Sequence, residues 1–525
     1  MNLHLSRREL LKALAIASAV VHTPSLAWAQ RKFEKDPFLL GVASGSPTDQ
    51  SIVLWTRLVD DSLLGGLPNE AIEVRWELAS DEKFINLVKS GVSVALPELA
   101  HSVHAEVSQL PSNQWFYYRF KAGDMVSPIG RTRTLPSPNA AVNRLRLAYA
   151  SCQHYEHGYF GAYEHMRHED LDLVMFLGDY IYEYGQGKSG VRAHNSGPLI
   201  TLDDYRKRYV LYKKDVNLQL MHATCPWLMT WDDHEVQNDY AGLTPGTFGP
   251  YVSDFHKRRA AAYQAYYEHM PIRSSALIEG LDGLLKGSEM RIYGDFRFGK
   301  LANISILDDR QYRDVEVCTP SGVGSAAINP KKCPELADPN RSMLGATQES
   351  WLANVLRDSD KSIWNVIGQP TLFAQRYFPS GETLLVWTDG WDGYPEARKR
   401  LNQQFVKNKV KNLVIFGGDV HENWVGYIKE DYDNKNSSTL GVEFCGASIN
   451  TIGGGAKYLE SRLAKNPHFI FAEATKKGYG VAEFTPRELV VTLRVVGSAD
   501  EEKSTIETLA KFKVDTGTNK ITRIN

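Results

Sequence analysis

The chain has 525 residues, room for two to four domains at roughly 150 residues each and ample length to bury a core without staples. Apolar residues make up 43% and charged residues 23%, which excludes a disordered, collagenous or coiled-coil chain. Sixty basic side chains against 62 acidic ones give a formal charge of −2, so there is no general electrostatic case for coating nucleic acid or an anionic membrane.

Met1 to Ala29 reads as an export signal. Ser6-Arg7-Arg8-Glu9-Leu10-Leu11-Lys12 is followed by a modest apolar run from Ala13 to Val21 and a small-x-small cleavage site, Ala27-Trp28-Ala29. The run is far short of the ~20 residues that span a bilayer. The paired arginines resemble a twin-arginine signal, which implies passage of an already folded protein through the twin-arginine export machinery. An ordinary secretory signal is the alternative. Folded export is associated with cofactors loaded beforehand, so a metal is expected. Removing Arg7, Arg8, Lys12 and Glu9 moves the net charge only from −2 to −4. No later apolar segment reaches membrane length, so the mature protein is expected to be soluble, periplasmic or secreted, with no transmembrane segment.

Residues 36–138 read as all-β. The runs at 51–57, 71–78 and 115–121 are aromatic and β-branched, several with period-2 alternation, and turn clusters such as Ser44-Gly45-Ser46-Pro47 separate them. This pattern predicts an immunoglobulin- or fibronectin-like sandwich, with Tyr117 or Tyr118 as a tyrosine corner. Leu135-Pro-Ser-Pro-Asn139 reads as the linker to a second domain over 143–525.

There the pattern changes. Strands are expected at 145–150, 171–177, 226–231, 301–307, 363–368, 412–416 and 440–444. Helical segments are expected at 158–168, 202–222, 347–358 and 397–407, and the tail at 480–484 and 488–495 returns to β. Alternating strands and helices predict an α/β domain with mostly parallel pairing. Of the five cysteines, Cys318 and Cys333 bracket an irregular Gly/Ser/Pro-rich stretch and are candidates for a disulfide. Cys225 and Cys445 sit in apolar runs and read as packed thiols.

Ligands in such sheets bind beyond the carboxyl ends of the strands. The strand ends here read Ser151-Cys152-Gln153, Gly178-Asp179-Tyr180-Ile181-Tyr182, Asp232-Asp233-His234-Glu235-Val236-Gln237-Asn238, Asp308-Asp309-Arg310-Gln311-Tyr312 and Gly417-Gly418-Asp419-Val420-His421. Each alone has an ordinary explanation: a turn, a solvated loop, a packed thiol. Five strand ends delivering metal- or phosphate-binding side chains to one edge point to a metal site. Gly178, Gly417 and Gly418 are expected to let backbone approach a bound ion or substrate.

The set Ser-Cys-Gln, Gly-Asp-x-Ile-Tyr-Glu, Trp-Asp-Asp-His-Glu, Leu-Asp-x-Arg-Gln-Tyr-Arg and Gly-Asp-Val-His resembles the PhoD-type alkaline phosphatase and phosphodiesterase family. That family lies within the metallophosphoesterases, whose best-known architecture is that of the purple acid phosphatases. The resemblance covers essentially the whole mature chain. It implies an N-terminal β-sandwich followed by a four-layer αββα catalytic domain, with Fe(III) and calcium, two Ca(II), as cofactors. Cys152 as thiolate and Tyr182 as phenolate suit a trivalent iron, with His421 beside them and Asp179 bridging to a second ion. Asp232, Asp233 and Asp419 offer hard oxygens suited to calcium. Cys152 and Asp233 stand where ordinary members carry Asp or His and Asn, which disfavours zinc and manganese. Asp419 and His421 alternate along the chain, so they face one site only if the turn bends.

His234 is expected to act as general acid, with a structural histidine as the alternative. Asn238 and Arg310 are expected to hold phosphate oxygens; Arg310 could instead pair with Asp308 or Asp309. Lys188 and Arg192 lie in a polar stretch, 185–197, that reads as a solvated loop or a lid. The expected activity is hydrolysis of phosphate monoesters or diesters by a metal-activated hydroxide. The alternatives are a phospholipase D-type or cell-wall-polymer phosphodiesterase, and a non-catalytic calcium-stabilised binding protein.

Overall fold

The structure is a computed structural model describing residues 32–60, 67–188, 190–247, 249–250, 252–277, 289–322, 324–434 and 436–525; the expected export signal lies outside these residues. The chain forms two compact units. Among the described residues, one comprises those through Ser137 with those of Leu199–Leu228 and His256–Arg291, and the other those of Pro138–Pro198, Met229–Phe255 and Ile292–Asn525.

The first unit contains the expected sandwich. Strand Ile72–Ala79 pairs antiparallel with Leu87–Ala95 and Trp115–Ala122, and Ile52–Arg57 pairs antiparallel with Val42–Gly45 and Ser102–Val107. Burial alternates along Trp115–Ala122 as a two-faced strand requires. Ile52, Leu54, Val103 and Ala105 from one layer meet Val74, Trp76, Phe116 and Phe120 from the other. Tyr118 is buried, and its ring packs on Gly130 so closely that a Cβ there would lie 2.2 Å away.

The single helix expected over 202–222 is two, Leu202–Lys213 and Val216–His222. Thr201 and Asp204 form a capping box on the first, while Asp215 caps the second and so separates them. These helices and most of Phe255–His269 cluster with the sandwich although they come from the later stretch. The Trp55 indole donates to the Glu268 carbonyl at 3.1 Å, and His104 stacks on Tyr267 at 4.2 Å.

The second unit is built on two sheets. One runs Ile521–Arg523, Ile506–Asp515, Glu488–Val496, Gly478–Phe484, Leu145–Ala150 and Leu173–Leu177 in spatial order, so the β tail joins beside Leu145–Ala150. The other has Ala302–Ile306, Trp364–Gly368, Leu413–Gly417 and Thr439–Cys445 in parallel at its centre, with antiparallel strands outside them. The faces meet through Tyr149 against Phe416 at 4.5 Å and Trp364 against Phe484 at 5.7 Å. Each such buried ring contributes roughly 1.5–3 kcal/mol. Helices Gly345–Arg357 and Pro395–Lys407 cover the outer face of the second sheet through Leu352, Leu356, Leu401 and Phe405. The short helix Gly161–Met166 lies on the outer side of the first, where Arg146 pairs with Glu483 and Glu169. The result is the expected four-layer α/β arrangement.

Cys318 and Cys333 form a disulfide; Cys152, Cys225 and Cys445 are free and buried. Among the described residues no helix is long and apolar enough to cross a membrane.

Candidate metal centre

The ends of strands Leu145–Ala150, Leu173–Leu177, Trp227–Thr230 and Leu413–Gly417 carry the candidate ligands, and the backbone bends sharply after the first, second and fourth. Cys152, Asp179, Asp419 and His421 have φ of 60°, 59°, 62° and 56°, left-handed values that non-glycine residues seldom adopt. Asp419 and His421 both lie in this bend. Neighbouring backbone fixes these turns: Cys152 N donates to Gly178 O at 3.1 Å and Gln153 N to Asp179 O at 3.0 Å. Glu235 accepts three more backbone N–H groups, from Asp179 at 3.1 Å, Tyr180 at 2.6 Å and Asp232 at 2.8 Å. The glycines also permit close approaches of chain to chain. A Cβ on Gly418 would lie 2.4 Å from Ser151 Oγ, and one on Gly178 2.5 Å from Asp232 Cβ.

Cys152, Asp179 and His421 bring ligand atoms within 4.8 Å of one another. The Tyr182 hydroxyl joins them, 3.0 Å from Asp179 Oδ2 and 3.2 Å from His421 Nε2. His421 Nδ1 lies 3.0 Å from the Ile452 carbonyl, a partner that can only accept; Nδ1 therefore carries the proton, leaving the Nε2 lone pair toward the cluster. The Thr451 hydroxyl braces the group from behind, 2.7 Å from the Cys152 carbonyl and 3.1 Å from Tyr182 Oη. Asp179, Asp233 and His234 form an adjoining cluster, and Asp233, Asp239 and Asp389 a third. Asp419 accepts from Thr371 Oγ1 at 2.9 Å.

The donor set fits cations. Asp179 Oδ1, Asp232 Oδ2 and Asp233 Oδ1 are buried with no hydrogen-bond partner among the described residues, a costly arrangement unless a positive ion answers them. Burial and then the Asp179 carboxylate push both the Cys152 thiol and the Tyr182 phenol well up, so the thiolate and phenolate need a cation. Burial, with Asp389 next, raises Asp419 to about 6, while burial and then Lys477 lower His421 to about 3, keeping it a neutral ligand.

His234 Nδ1 lies 2.7 Å from Glu183 Oε2, whose other oxygen accepts from Asn238 N at 2.8 Å. Burial disfavours the imidazolium, but Asp233, Asp179 and Glu183 outweigh it and hold the pKa well above the usual value. Asn238 Oδ1 accepts from the Tyr184 hydroxyl at 2.7 Å, so its amide N–H groups point elsewhere.

Arg310 is placed differently from the expectation of a phosphate clamp. Its side chain has 0% exposure, and every guanidinium nitrogen faces a carboxylate of Asp232, Asp233 or Asp389. Nor do Asp308 and Asp309 hold that guanidinium. Asp308 instead accepts from the Arg310 and Gln311 backbone N–H groups at 3.0 Å each and from Trp231 Nε1 at 3.0 Å. In the loop 185–197, Glu156 accepts from Gly187 N at 3.0 Å and His194 N at 2.9 Å, and Arg192 covers the Tyr155 ring at 3.8 Å; Lys188 makes none of these anchoring contacts.

Sequence reading missed Glu183, Glu235, Asp239, Asp389 and Thr451. Asp389 had a readable signal: Trp387-Thr388-Asp389-Gly390 ends an apolar run as the other sites do. The bonds of Glu183, Glu235 and Thr451 had none.

A two-sheet α/β sandwich with thiol, phenol, imidazole and clustered carboxylates at its strand ends defines a metal-dependent phosphoesterase. The family model for PhoD-like phosphatases matches residues 147–493, and that for the PhoD-like phosphatase N-terminal domain matches 24–136. Alkaline phosphatase D of Bacillus subtilis (strain 168) is 45% identical over 506 residues, covering 94% of this chain and 84% of the relative. A solved structure described as "Structure of PhoD" matches with a TM-score of 0.88 at 43% identity, covering 94% of this chain and 93% of that one. The chain belongs to the PhoD-like phosphatase family.

Proposed function

We propose that this protein is an exported phosphatase that hydrolyses phosphate mono- or diesters outside the cytoplasm. Fe(III) would be held by Cys152, Asp179, Tyr182 and His421, and calcium by Asp179, Asp232, Asp233 and Asp419. The observation that carries this reading is the grouping of a buried thiol, phenol and imidazole beside carboxylate oxygens that lack hydrogen-bond partners. Soft and phenolic donors favour a transition metal, and the all-oxygen side favours calcium. Bound cations supply Lewis acidity and an activated nucleophile.

The chain's own residues supply the rest. With Nδ1 committed to Glu183, His234 presents Nε2 to the leaving oxygen and delivers its proton there. Asn238, its carbonyl fixed by Tyr184, presents N–H donors suited to a phosphoryl oxygen. Glu235 keeps the Asp179 and Asp232 backbones in place.

Purified protein assayed on p-nitrophenyl phosphate and its bis ester, with and without chelator, tests the reading alongside metal analysis. Chelator-sensitive hydrolysis with bound iron and calcium is expected; lack of iron would remove the case for Cys152 and Tyr182 as its ligands. A strong preference for the bis ester would favour the phospholipase D-type or cell-wall-polymer diesterase. Hydrolysis of neither ester would favour the calcium-stabilised binding protein. Export is tested by cell fractionation of the full chain, in which Arg7→Lys with Arg8→Lys should retain the precursor inside.

A further inference from the structure

We infer that Arg310 is a positioning residue for the cations and not a contact for the phosphoryl group. The inference rests on the metal-dependent reading above. Nη1 and Nη2 of Arg310 donate to the two oxygens of Asp389 at 2.5 and 2.7 Å, a bidentate fork. Nε donates to Asp232 Oδ1, and Nη2 lies 3.7 Å from Asp233 Oδ2. A fork already closed on one carboxylate and flanked by two more has no free edge with which to grip phosphate.

The opposite side of the arrangement is equally constrained. Arg313 Nη1 donates to Asp389 Oδ1 at 2.9 Å, its Nε donates to the Asp309 carbonyl at 2.7 Å, and Glu316 lies 3.5 Å away. The Arg310 backbone is pinned by Asp308. Arg310 thus occupies Oδ1 of Asp232 and leaves Oδ2, buried without a hydrogen-bond partner, as the oxygen available to an ion. It also sets a fixed positive charge behind Asp232 and Asp233, which limits their mutual repulsion whether or not an ion is bound. Asp389 follows strand Thr383–Trp387, so an element outside both main sheets holds the metal centre in shape.

Arg310→Lys and Asp389→Asn test this in the full-length holoenzyme. Arg310→Lys keeps the charge and loses the fork; Asp389→Asn keeps Arg310 and weakens its anchor. Calcium and iron per chain, kcat and KM on p-nitrophenyl phosphate, and competitive inhibition by inorganic phosphate are measured, with circular dichroism as the folding check. Each variant should weaken calcium retention about 10- to 100-fold, in the range seen when partners of metal ligands are removed. Added calcium should restore kcat, while the phosphate inhibition constant stays within about twofold. A tenfold rise in that constant or in KM at unchanged metal content would instead make Arg310 a phosphate contact. Wild-type metal content in both variants would equally overturn the inference, and Asp389→Asn alone decides if Arg310→Lys does not fold. A wild-type enzyme that is active without bound metal would sink the metal-dependent reading itself.

Discussion

Gly178→Ala is the sharpest test of how the strand ends are held. Gly178 has φ +88°, and an ideal Cβ there would lie 2.5 Å from Asp232 Cβ, 2.6 Å from Asp232 N and 2.9 Å from the Trp231 carbonyl carbon. Two of those atoms are backbone, so no side-chain rotation relieves the overlap. The left-handed conformation costs an alanine about 1–2 kcal/mol. Overpacking adds about 1–3 kcal/mol, for a total of about 2–5 kcal/mol. Extrapolated to a unit this large, 1 kcal/mol moves Tm by about 1–2 °C, so a drop of roughly 2–10 °C is expected. Calorimetry at one scan rate, with metal content measured on the same samples, reads both the loss and the displacement of Asp232. Gly294→Ala is the control, since nothing lies within 4 Å of its ideal Cβ. A Gly178→Ala protein melting within a degree of wild type with full metal would refute the reasoning.

Three further outcomes are expected. Burial raises Asp419 to about 6 and Asp239 to about 8, with the Asp389 carboxylate next in each case, against about 3.9 when unfolded. The metal-stripped fold therefore holds protons that the unfolded chain has released, and loses stability as pH rises from about 4 to 8. The Tm gap between loaded and chelated protein should widen over that window; a gap independent of pH would count against the mechanism. His234→Ala should cut turnover about 10²–10⁴-fold on an alkyl phosphate and far less on p-nitrophenyl phosphate, whose leaving group needs little protonation; equal losses would remove the general-acid role. Cys318→Ser with Cys333→Ser should cost about 3 kcal/mol from the 15-residue separation, read by urea unfolding, with kcat unchanged.

The candidate metal-binding side chains were legible because most follow a short apolar strand with no other reason to end in Cys, Asp or His. The sandwich was legible because two-sided burial writes its alternation into the chain. Sequence could not show that 202–222 divides, since Asp215 looks like any acidic residue until its carboxylate caps a helix. Nor could it show that Glu268 and Tyr267 pack on Trp55 and His104, which lie far away in the chain. Arg310 marks the limit: its residue type suits phosphate, and the carboxylates its nitrogens face, Asp389 above all, never stood out in the sequence.

The left-handed turns at Cys152, Asp179, Asp419 and His421 have a consequence for how this protein would evolve in the laboratory. Each holds a side chain in a backbone state that glycine occupies at no steric penalty, so each carries local strain of about 1–3 kcal/mol. A library selected for heat resistance in the presence of chelator, with no demand for turnover, should discard these four side chains early and drift toward glycine or asparagine. Selection for activity would keep them and seek its gains elsewhere.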